Sequence, residues 1–208
     1  MQSLRMNESD MMLAGGISLI SSSKKGYWYQ PGNILSADGY CRPYDQAATG
    51  TVPSSGAGVV ALKRLSDAIQ DRNTIYAVIK GAAVNNDGRL KASFTAPSKI
   101  GQVQCVQSAI ADAGIEASSV SILEGHGSGT KLGDALELEA LNSIYQHCSI
   151  SSVKANIGHT DAASGIAGFI KTCLVLKNKI LPGAIHFECF SDLSSKKTHF
   201  LSIFPIKI

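Results

Sequence analysis

The sequence lacks the features of a membrane-bound or secreted protein. None of its apolar runs approaches the roughly 20 residues that a membrane-spanning helix needs. Residues 1–10 contain no apolar core like that of a signal peptide. The five cysteines are odd in number, widely spaced and without a CxxC pair, which argues against a disulfide framework or a zinc site. We therefore expect a cytoplasmic protein that enters no membrane, keeps its thiols reduced and binds no metal.

Charged residues are also scarce, at 17% of the chain, and the formal net charge is only +3. The basic residues occur in short pairs such as Lys63-Arg64 rather than in a stripe or tail. A nucleic-acid-binding surface needs a denser basic patch, so nucleic acid is not an expected partner. The chain has 208 residues, and 44% of them are hydrophobic. This length and composition suffice for one globular domain with a buried core.

Strand and helix patterns alternate along the chain. In residues 75–84 apolar side chains recur at every second position, and the run ends at the turn-forming residues 85–88, which predicts a strand and a turn. In residues 100–113 they recur at every third or fourth position, with Gly114 as a helix stop. The other predicted elements are a strand at 120–123, a helix at 134–145, a strand at 150–153 and a helix at 162–177. This order favours an α/β fold.

Two stretches are rich in glycine and other small residues. The predicted helix 162–177 begins with Ala-Ala-Ser-Gly-Ile-Ala-Gly, which leaves little side-chain bulk over two turns. Since glycine inside a helix costs about 1 kcal/mol relative to alanine, two of them imply close packing, and we place this helix at the centre of the fold. Residues 56–58 (Gly-Ala-Gly) lack the Lys-Ser/Thr of a phosphate loop and do not fit GxGxxG, so they indicate a tight entry into a strand.

Two histidines stand at junctions between a strand and a loop. His126 lies in residues 124–130 (EGHGSGT), where small residues leave the imidazole accessible and two hydroxyls are close. His159 ends residues 154–159 (KANIGH), just before the small-residue helix. The N-terminus of a helix has free N–H groups and a positive partial charge, which favour a neutral imidazole. A neutral imidazole can donate a hydrogen bond to a developing oxyanion.

These histidines have other interpretations. A single histidine after a strand is more often structural than catalytic. Because a second histidine stands in a similar junction, a catalytic pair and two structural histidines are equally good interpretations. A zinc site built from His126, His147 and His159 has the wrong ligand spacing.

At these two runs the sequence closely resembles the β-ketoacyl synthases, whose usual motifs are EAHGTGT and KxNIGH. The resemblance extends through almost the whole chain. Residues 34–39 and 75–81 are most similar to synthase domains of modular polyketide or hybrid peptide–polyketide systems. The other stretches that carry the resemblance are 13–19 (LAGGISL), 38–45 (DGYCRPYD), 55–60 (SGAGVV) and 84–88 (VNNDG).

The resemblance implies a thiolase-like fold, in which two similar halves build αβαβα layers, normally in a homodimer. Residues 1–208 would be a partial synthase domain, with 1–70 the end of the N-terminal half and 71–208 the C-terminal half. A helix at 2–5 and a strand at 12–16 would belong to the first half. The family's DTACSSS-type turn, which carries the nucleophilic cysteine, would lie about ten residues before Met1, and a Gly-Phe-Gly-Gly-x-Asn turn would follow Ile208.

The reaction that the resemblance implies is a decarboxylative Claisen condensation in polyketide or fatty-acid type biosynthesis. An acyl chain passes from the phosphopantetheine of an acyl carrier protein to the cysteine, and a carrier-bound malonyl unit then decarboxylates and attacks the acyl thioester. The resemblance assigns oxyanion hydrogen bonds to His126 and His159 and electrostatic support to Lys154. Ser128 and Thr130 match the residues that contact the phosphopantetheine arm. The implied partners are the carrier protein and the acyl and malonyl thioesters, and no cofactor is bound directly.

The sequence departs from the family pattern at several positions. Gly125 replaces Ala, Ser128 replaces Thr, and Lys131 replaces Pro. None of the five cysteines has the context of the nucleophile, which predicts that this chain alone is inactive. The alternative function is a catalytically inactive thiolase-fold fragment that binds carrier protein or pairs with a complete synthase.

Overall fold

The computed structural model describes residues 1–20, 26–88, 97–190 and 206–207. The helices of this part are α1 (Gln2–Arg5), α2 (Leu65–Gln70), α3 (Lys99–Ala113), α4 (Lys131–Asn142), α5 (Lys154–Ile157) and α6 (Ser164–Asn178). Its strands are β1 (Met11–Ser18), β2 (Gly56–Lys63), β3 (Ile122–Glu124), β4 (Ser149–Ser151), β5 (Ile180–Leu181) and β6 (Ile206–Lys207). None of these helices is long and apolar enough to cross a membrane. The alternation of helices and strands confirms the predicted α/β class.

The first two strands form an antiparallel ribbon, in which Met11 lies opposite Lys63 and Ser18 opposite Gly56. Glycines allow other parts of the chain to approach this ribbon closely. A Cβ atom added to Gly16 would lie 2.5 Å from the carbonyl oxygen of Ala162. The strand expected at 12–16 and the strand entry expected at 56–58 are both confirmed.

The third and fourth strands are parallel neighbours, with Ile122 paired to Ser149 and Glu124 to Ser151. Helix α4 makes the crossover between them and covers the strands with its apolar face. Together they enclose the main core, whose buried members are Tyr44, Leu138, Leu141, Tyr145, Cys148 and Ile150. Burial of an aliphatic side chain such as Leu138 or Ile150 contributes about 1.5–3 kcal/mol. Helix α4 begins at Lys131 rather than at 134, since Thr130 has the extended backbone of an N-cap residue.

Helix α6 packs between the ribbon and β3, as its small residues predicted. A Cβ atom on Gly58 would lie 3.0 Å from the side chains of Ile166 and Ile170, and one on Gly168 would lie 3.2 Å from Glu124. The helix begins at Ser164 rather than at 162, because residues Asp161–Ala163 form a turn of 3-10 helix. Packing against Glu124 therefore accounts for Gly168, whereas a Cβ atom on Gly165 would have no neighbour within 4 Å.

The predicted strand at 75–84 is wrong. The exposure of its residues alternates as expected, but none of the described strands pairs with it. The segment instead lies along α3: a Cβ atom on Gly81 would be 2.5 Å from the carbonyl oxygen of Ala109, and the N–H of Ala82 donates to Asp112 at 2.9 Å. The two-residue period arises because every second side chain is partly buried against α3. It does not arise from hydrogen bonds to a neighbouring strand.

Residues 26–55, which belong to the segment between β1 and β2, reach the second histidine. The N–H of His159 donates to the carbonyl oxygen of Val52 at 2.7 Å, and the N–H of Ser54 donates to the carbonyl oxygen of His159 at 3.0 Å. Further back in the same segment, Tyr44 is 1% exposed and belongs to the main core. Residues far apart in the sequence therefore meet around His159.

Candidate active site

The two segments that contain His126 and His159 begin at the carboxyl ends of the neighbouring parallel strands β3 and β4. Glu124 is the last residue of β3, Ser151 is the last residue of β4, and the two are paired. We call the segments that follow them the first loop (125–130) and the second loop (152–159). Because the carboxyl ends of parallel strands meet at one edge of a sheet, the two loops lie side by side, where ligands commonly bind in α/β folds.

The two histidines named from the sequence are neighbours. The ring centroids of His126 and His159 lie 5.4 Å apart, and the ring planes meet at 78°. His126 is exposed and His159 is half-buried. Two imidazoles at this separation can both reach one oxygen atom of a substrate placed between them.

Hydrogen bonds to His159 fix which ring nitrogen carries its proton. The backbone N–H of Asp161 donates to Nδ1 at 3.1 Å, and the Ser164 hydroxyl lies 3.0 Å from the same atom. Because Nδ1 accepts from an N–H group, a neutral His159 carries its proton on Nε2. Burial lowers the pKa of His159, and the charge of Lys154 lowers this pKa further, so the neutral form is favoured.

Lys154 begins α5 and is almost fully buried, with 3% of its surface exposed. Its ammonium donates a hydrogen bond to the backbone carbonyl oxygen of His126 at 2.6 Å, so it ties the second loop to the first. Burial lowers the pKa of Lys154, while nearby carboxylates, Glu137 foremost, oppose this change. Although His126 is exposed as a residue, surrounding protein atoms displace water from its imidazole; this desolvation is the main cause that lowers the pKa of His126, and the charge of Lys154 is the second. Both imidazoles are therefore held toward the neutral form.

Glu124, the last residue of β3, makes a second tie to the second loop. Its carboxylate accepts hydrogen bonds from the N–H of Val153 at 2.5 Å, the hydroxyl of Ser151 at 2.9 Å and the ammonium of Lys171 on α6 at 2.7 Å. The ion pair is largely buried, with 10% of the Glu124 side chain and 14% of the Lys171 side chain exposed. Removing one partner would leave a buried, uncompensated charge, so this pair locks the end of β3 to the second loop and α6.

The carboxylate of Glu137 on α4 holds the start of the first loop. It accepts hydrogen bonds from the backbone N–H of His126 at 2.6 Å and of Gly127 at 2.8 Å, and from the hydroxyl of Tyr44 at 3.0 Å. Burial raises the pKa of Tyr44 well above its ordinary value, so the phenol stays protonated and donates. The backbone of His126 is thus placed by a side chain of the following helix.

Asp134 holds the end of the first loop in the same way. It accepts hydrogen bonds from the N–H of Tyr44 at 2.7 Å, of Ser128 at 2.9 Å and of Gly129 at 3.1 Å. Burial raises the pKa of Asp134 to about 6, whereas the backbone donors favour its ionised form. Neither Asp134 nor Glu137 was predicted from the sequence. The available signal was their i, i+3 spacing on the helix that directly follows a glycine-rich loop, because such residues share one helix face.

The two hydroxyls of the first loop interact with each other. The Oγ of Ser128 lies 2.9 Å from Oγ1 of Thr130 and 3.4 Å from the carboxylate of Asp134. Ser128 is buried, whereas Thr130 is partly exposed at the start of α4. Of the two residues named for phosphopantetheine contact, Thr130 is the more accessible.

A cavity of about 370 Å³ opens between the two loops and α6. Its lining residues include Glu124, His126, Lys154, Gly165 and Phe169, whereas His159 is not among them. Within the described ranges, no group of three or more His, Cys, Asp and Glu side chains is arranged to hold a metal ion.

The thiols near this site are poorly suited to nucleophilic attack. The Sγ of Cys41 lies 3.4 Å from the carbonyl oxygen of Ser128 in the first loop. Burial raises the pKa of Cys41 and that of Cys148 to about 11, and it also raises the pKa of Cys173. Since the thiolate is the nucleophilic form, these raised pKa values disfavour nucleophilic attack by the three thiols.

Comparison with known proteins shows the family to which the chain belongs. The family described as beta-ketoacyl synthase, C-terminal domain, matches residues 76–188, and its N-terminal counterpart matches residues 1–68. The chain belongs to the β-ketoacyl synthase family. The first and second loops carry the two histidine motifs by which the sequence resembled these synthases.

Curated relatives of this β-ketoacyl synthase segment are polyketide synthases. It is 47% identical over 193 residues to a component of the phenolphthiocerol/phthiocerol polyketide synthase of Mycobacterium tuberculosis, a match that covers 89% of this chain and 13% of the relative. It is 42% identical over 189 residues to polyketide synthase PksN of Bacillus subtilis, covering 87% of this chain and 3% of the relative. The segment therefore spans only a small part of the proteins it matches.

Solved ketosynthases have the same fold. The ketosynthase from module 1 of the bacillaene synthase of Bacillus amyloliquefaciens matches with a TM-score of 0.93 and 38% identity, over 100% of this chain and 38% of that chain. The module 6 ketosynthase of the Bacillus subtilis bacillaene synthase matches with a TM-score of 0.87 and 37% identity, over 99% of this chain and 39% of that chain. These matches confirm the predicted thiolase-like fold. They also confirm the resemblance to ketosynthase domains of modular polyketide synthases.

Proposed function

We propose that this segment supplies the histidine and lysine side of a polyketide ketosynthase site, which carries out the decarboxylative Claisen condensation of a carrier-bound malonyl unit with an acyl thioester. The observation that carries the proposal is the convergence of His126, His159 and Lys154 at two loops, beside a cavity, in a chain of the β-ketoacyl synthase family. In this site the imidazoles face the reacting thioester and the ammonium stays behind them in the protein.

The chemistry requires stabilisation of a negatively charged oxygen. The malonyl carboxylate leaves as CO2, and the electron pair of the broken C–C bond forms an enolate on the malonyl thioester. The enolate carbon attacks the acyl thioester, the new C–C bond forms, and the cysteine leaves as a thiolate that takes up a proton. The products are a β-ketoacyl carrier thioester and CO2. Hydrogen-bond donors aimed at the enolate oxygen lower the barrier of the first step.

His126 and His159 are those donors. The N–H of Asp161 on Nδ1 of His159 leaves the Nε2 proton for the substrate, and the lowered pKa of both imidazoles keeps them neutral near pH 7. Lys154 is a positioning residue, because its ammonium holds the His126 carbonyl oxygen and its charge disfavours protonation of both rings. Each donor of this kind contributes a factor of about 10²–10³ to the rate.

The carrier partner follows from the same assignment. An acyl carrier protein presents both thioesters on phosphopantetheine, and Thr130, with Ser128 behind it, hydrogen-bonds that arm at the edge of the first loop. The domain boundary lies near residue 70, which the separate matches to residues 1–68 and 76–188 support. The complete domain acts in the cytoplasm as a homodimer.

The nucleophile is not among the 208 residues. The raised pKa values of Cys41, Cys148 and Cys173 support this proposal, because they disfavour the nucleophilic thiolate. Neither Cys105 nor Cys189 lies in a DTACSSS-type sequence. The chain by itself is therefore inactive, and the acyl-accepting cysteine belongs to the rest of the ketosynthase domain. An in-frame DTACSSS-type turn in the coding sequence around this segment is the expected source.

The test uses a complete ketosynthase domain that contains residues 1–208. Supplied with acyl- and malonyl-carrier protein, it should release CO2 and β-ketoacyl carrier in equal amounts. His126→Ala and His159→Ala should each lower condensation by roughly a hundredfold or more, while acylation of the cysteine persists in at least one of them. Parental condensation by both variants would show that the histidines do not have these roles.

A further inference from the structure

Gly125 is the position at which the first loop departs from the family motif EAHGTGT, which has alanine there. Its backbone does not require glycine, since its φ is outside the left-handed range, whereas Gly127 and Gly129 have φ of 37° and 74°. What excludes a side chain is a neighbour: a Cβ atom on Gly125 would overlap the hydroxyl of Tyr44, and it would lie 3.2 Å from Glu137. The space of the missing methyl group is occupied by the phenol oxygen.

The Tyr44 hydroxyl in that space is connected to the first histidine. Tyr44 is 1% exposed, and its hydroxyl donates to Oε2 of Glu137 at 3.0 Å. The same carboxylate accepts the backbone N–H of His126 at 2.6 Å and of Gly127 at 2.8 Å. The backbone N–H of Tyr44 donates to Asp134 on the same helix, so hydrogen bonds hold Tyr44 both at its main chain and at its hydroxyl. A shift of the phenol would therefore move the carboxylate that places His126.

We propose that Tyr44 and Gly125 are a matched pair that positions His126: the phenol is a positioning residue, and the glycine provides the space for its hydroxyl. The pair deepens the proposed function and rests on it. If the two residues are matched, the effect of a substitution at one position should depend on the residue at the other. A methyl group at 125 is harmful only while the hydroxyl is present, and removal of the hydroxyl makes room for the methyl group.

The experiment compares Gly125→Ala, Tyr44→Phe and the double variant in the complete ketosynthase domain. Gly125→Ala should lower condensation at least about tenfold, because displacements of about 1 Å at a catalytic group have effects of this size or larger. Tyr44→Phe should lower it only about two- to fivefold, since the loop loses one hydrogen bond to Glu137. The double variant should condense at about the rate of Tyr44→Phe. Acylation of the cysteine, measured by intact mass, should change less than condensation does in Gly125→Ala.

Tyr145→Phe is the matched control, because it removes the hydroxyl of another buried tyrosine of the same core and should leave condensation within about twofold of the parent. Gly125→Ala at the parental rate, or a double variant no faster than Gly125→Ala, would overturn the pairing. If the parental domain acylates but never condenses, the proposed function fails instead. The pairing is then decided by thermal unfolding of the same proteins, in which the double variant should regain most of the Tm lost in Gly125→Ala.

Discussion

The ammonium of Lys154 donates to the backbone carbonyl oxygen of His126 at 2.6 Å from a position that is 3% exposed. A buried cation thus supports one histidine through its main chain and stays close enough to influence two imidazoles. One side chain therefore both positions the main chain of His126 and lowers the pKa of the two imidazoles.

Lys154→Met should separate these effects from the general folding of the domain. Without the charge, the pKa of His126 and that of His159 should rise toward the ordinary value of 6.5, and condensation should fall at least about tenfold. NMR titration of the imidazoles measures the first effect. Lys177→Met, which removes an exposed lysine at the end of α6, serves as the control. Unchanged imidazole pKa values in Lys154→Met would contradict the electrostatic role.

The lowered pKa values of the two histidines predict a loss of stability in mild acid. As pH falls below 6.5, the unfolded chain protonates its histidines before the folded protein does, so the free energy of unfolding decreases from there toward the lowered folded-state pKa. Asp134, with its pKa raised to about 6, acts with the opposite sign in the same range. Urea unfolding of the complete domain at about pH 7.5 and about pH 5.5 should therefore show a smaller decrease for His126→Gln/His159→Gln than for the parent. An equal decrease in both proteins would exclude the histidines as the cause.

The 208-residue chain alone should form no acyl-enzyme. With a pKa of about 11, Cys41 and Cys148 each hold on the order of one thiolate in a few thousand near pH 7.5. Incubation with an acyl-carrier substrate should leave the intact mass unchanged, while a complete domain should gain one acyl group. A stoichiometric adduct on any cysteine of the 208-residue chain would be incompatible with the proposal.

Exposed apolar side chains predict that the 208-residue chain is poorly ordered by itself. On the ribbon Leu13 is 70% exposed and Val59 is 64% exposed, and on α6 Leu174 and Leu176 are about half exposed. We expect binding of a hydrophobic dye, a broad thermal transition, and recovery of a sharp one on co-expression with the remainder of a ketosynthase domain. A sharp two-state transition of the isolated monomer would disprove this expectation.

The sequence predicted the parts of the site that are local along the chain. The two histidines, their glycine-rich loops and the small-residue helix each show their character within a few residues. Tyr44 could not be found in this way, because its partner Glu137 is 93 positions further along and a single tyrosine has no pattern. The strand expected at 75–84 failed for a related reason: a two-residue period shows which side is buried and leaves the packing partner undefined.

The ion pair between Glu124 and Lys171 constrains where the sequences of two such synthases can be joined into a hybrid. A crossover placed between β4 and α6 would take the carboxylate from one parent and the ammonium from the other, although the two residues lie 47 positions apart. If the second parent has no cation there, the hybrid would inherit a buried charge without its counter-ion next to the first and second loops. Exchange boundaries placed before β3 and after α6 would transfer both residues of the ion pair together from one parent.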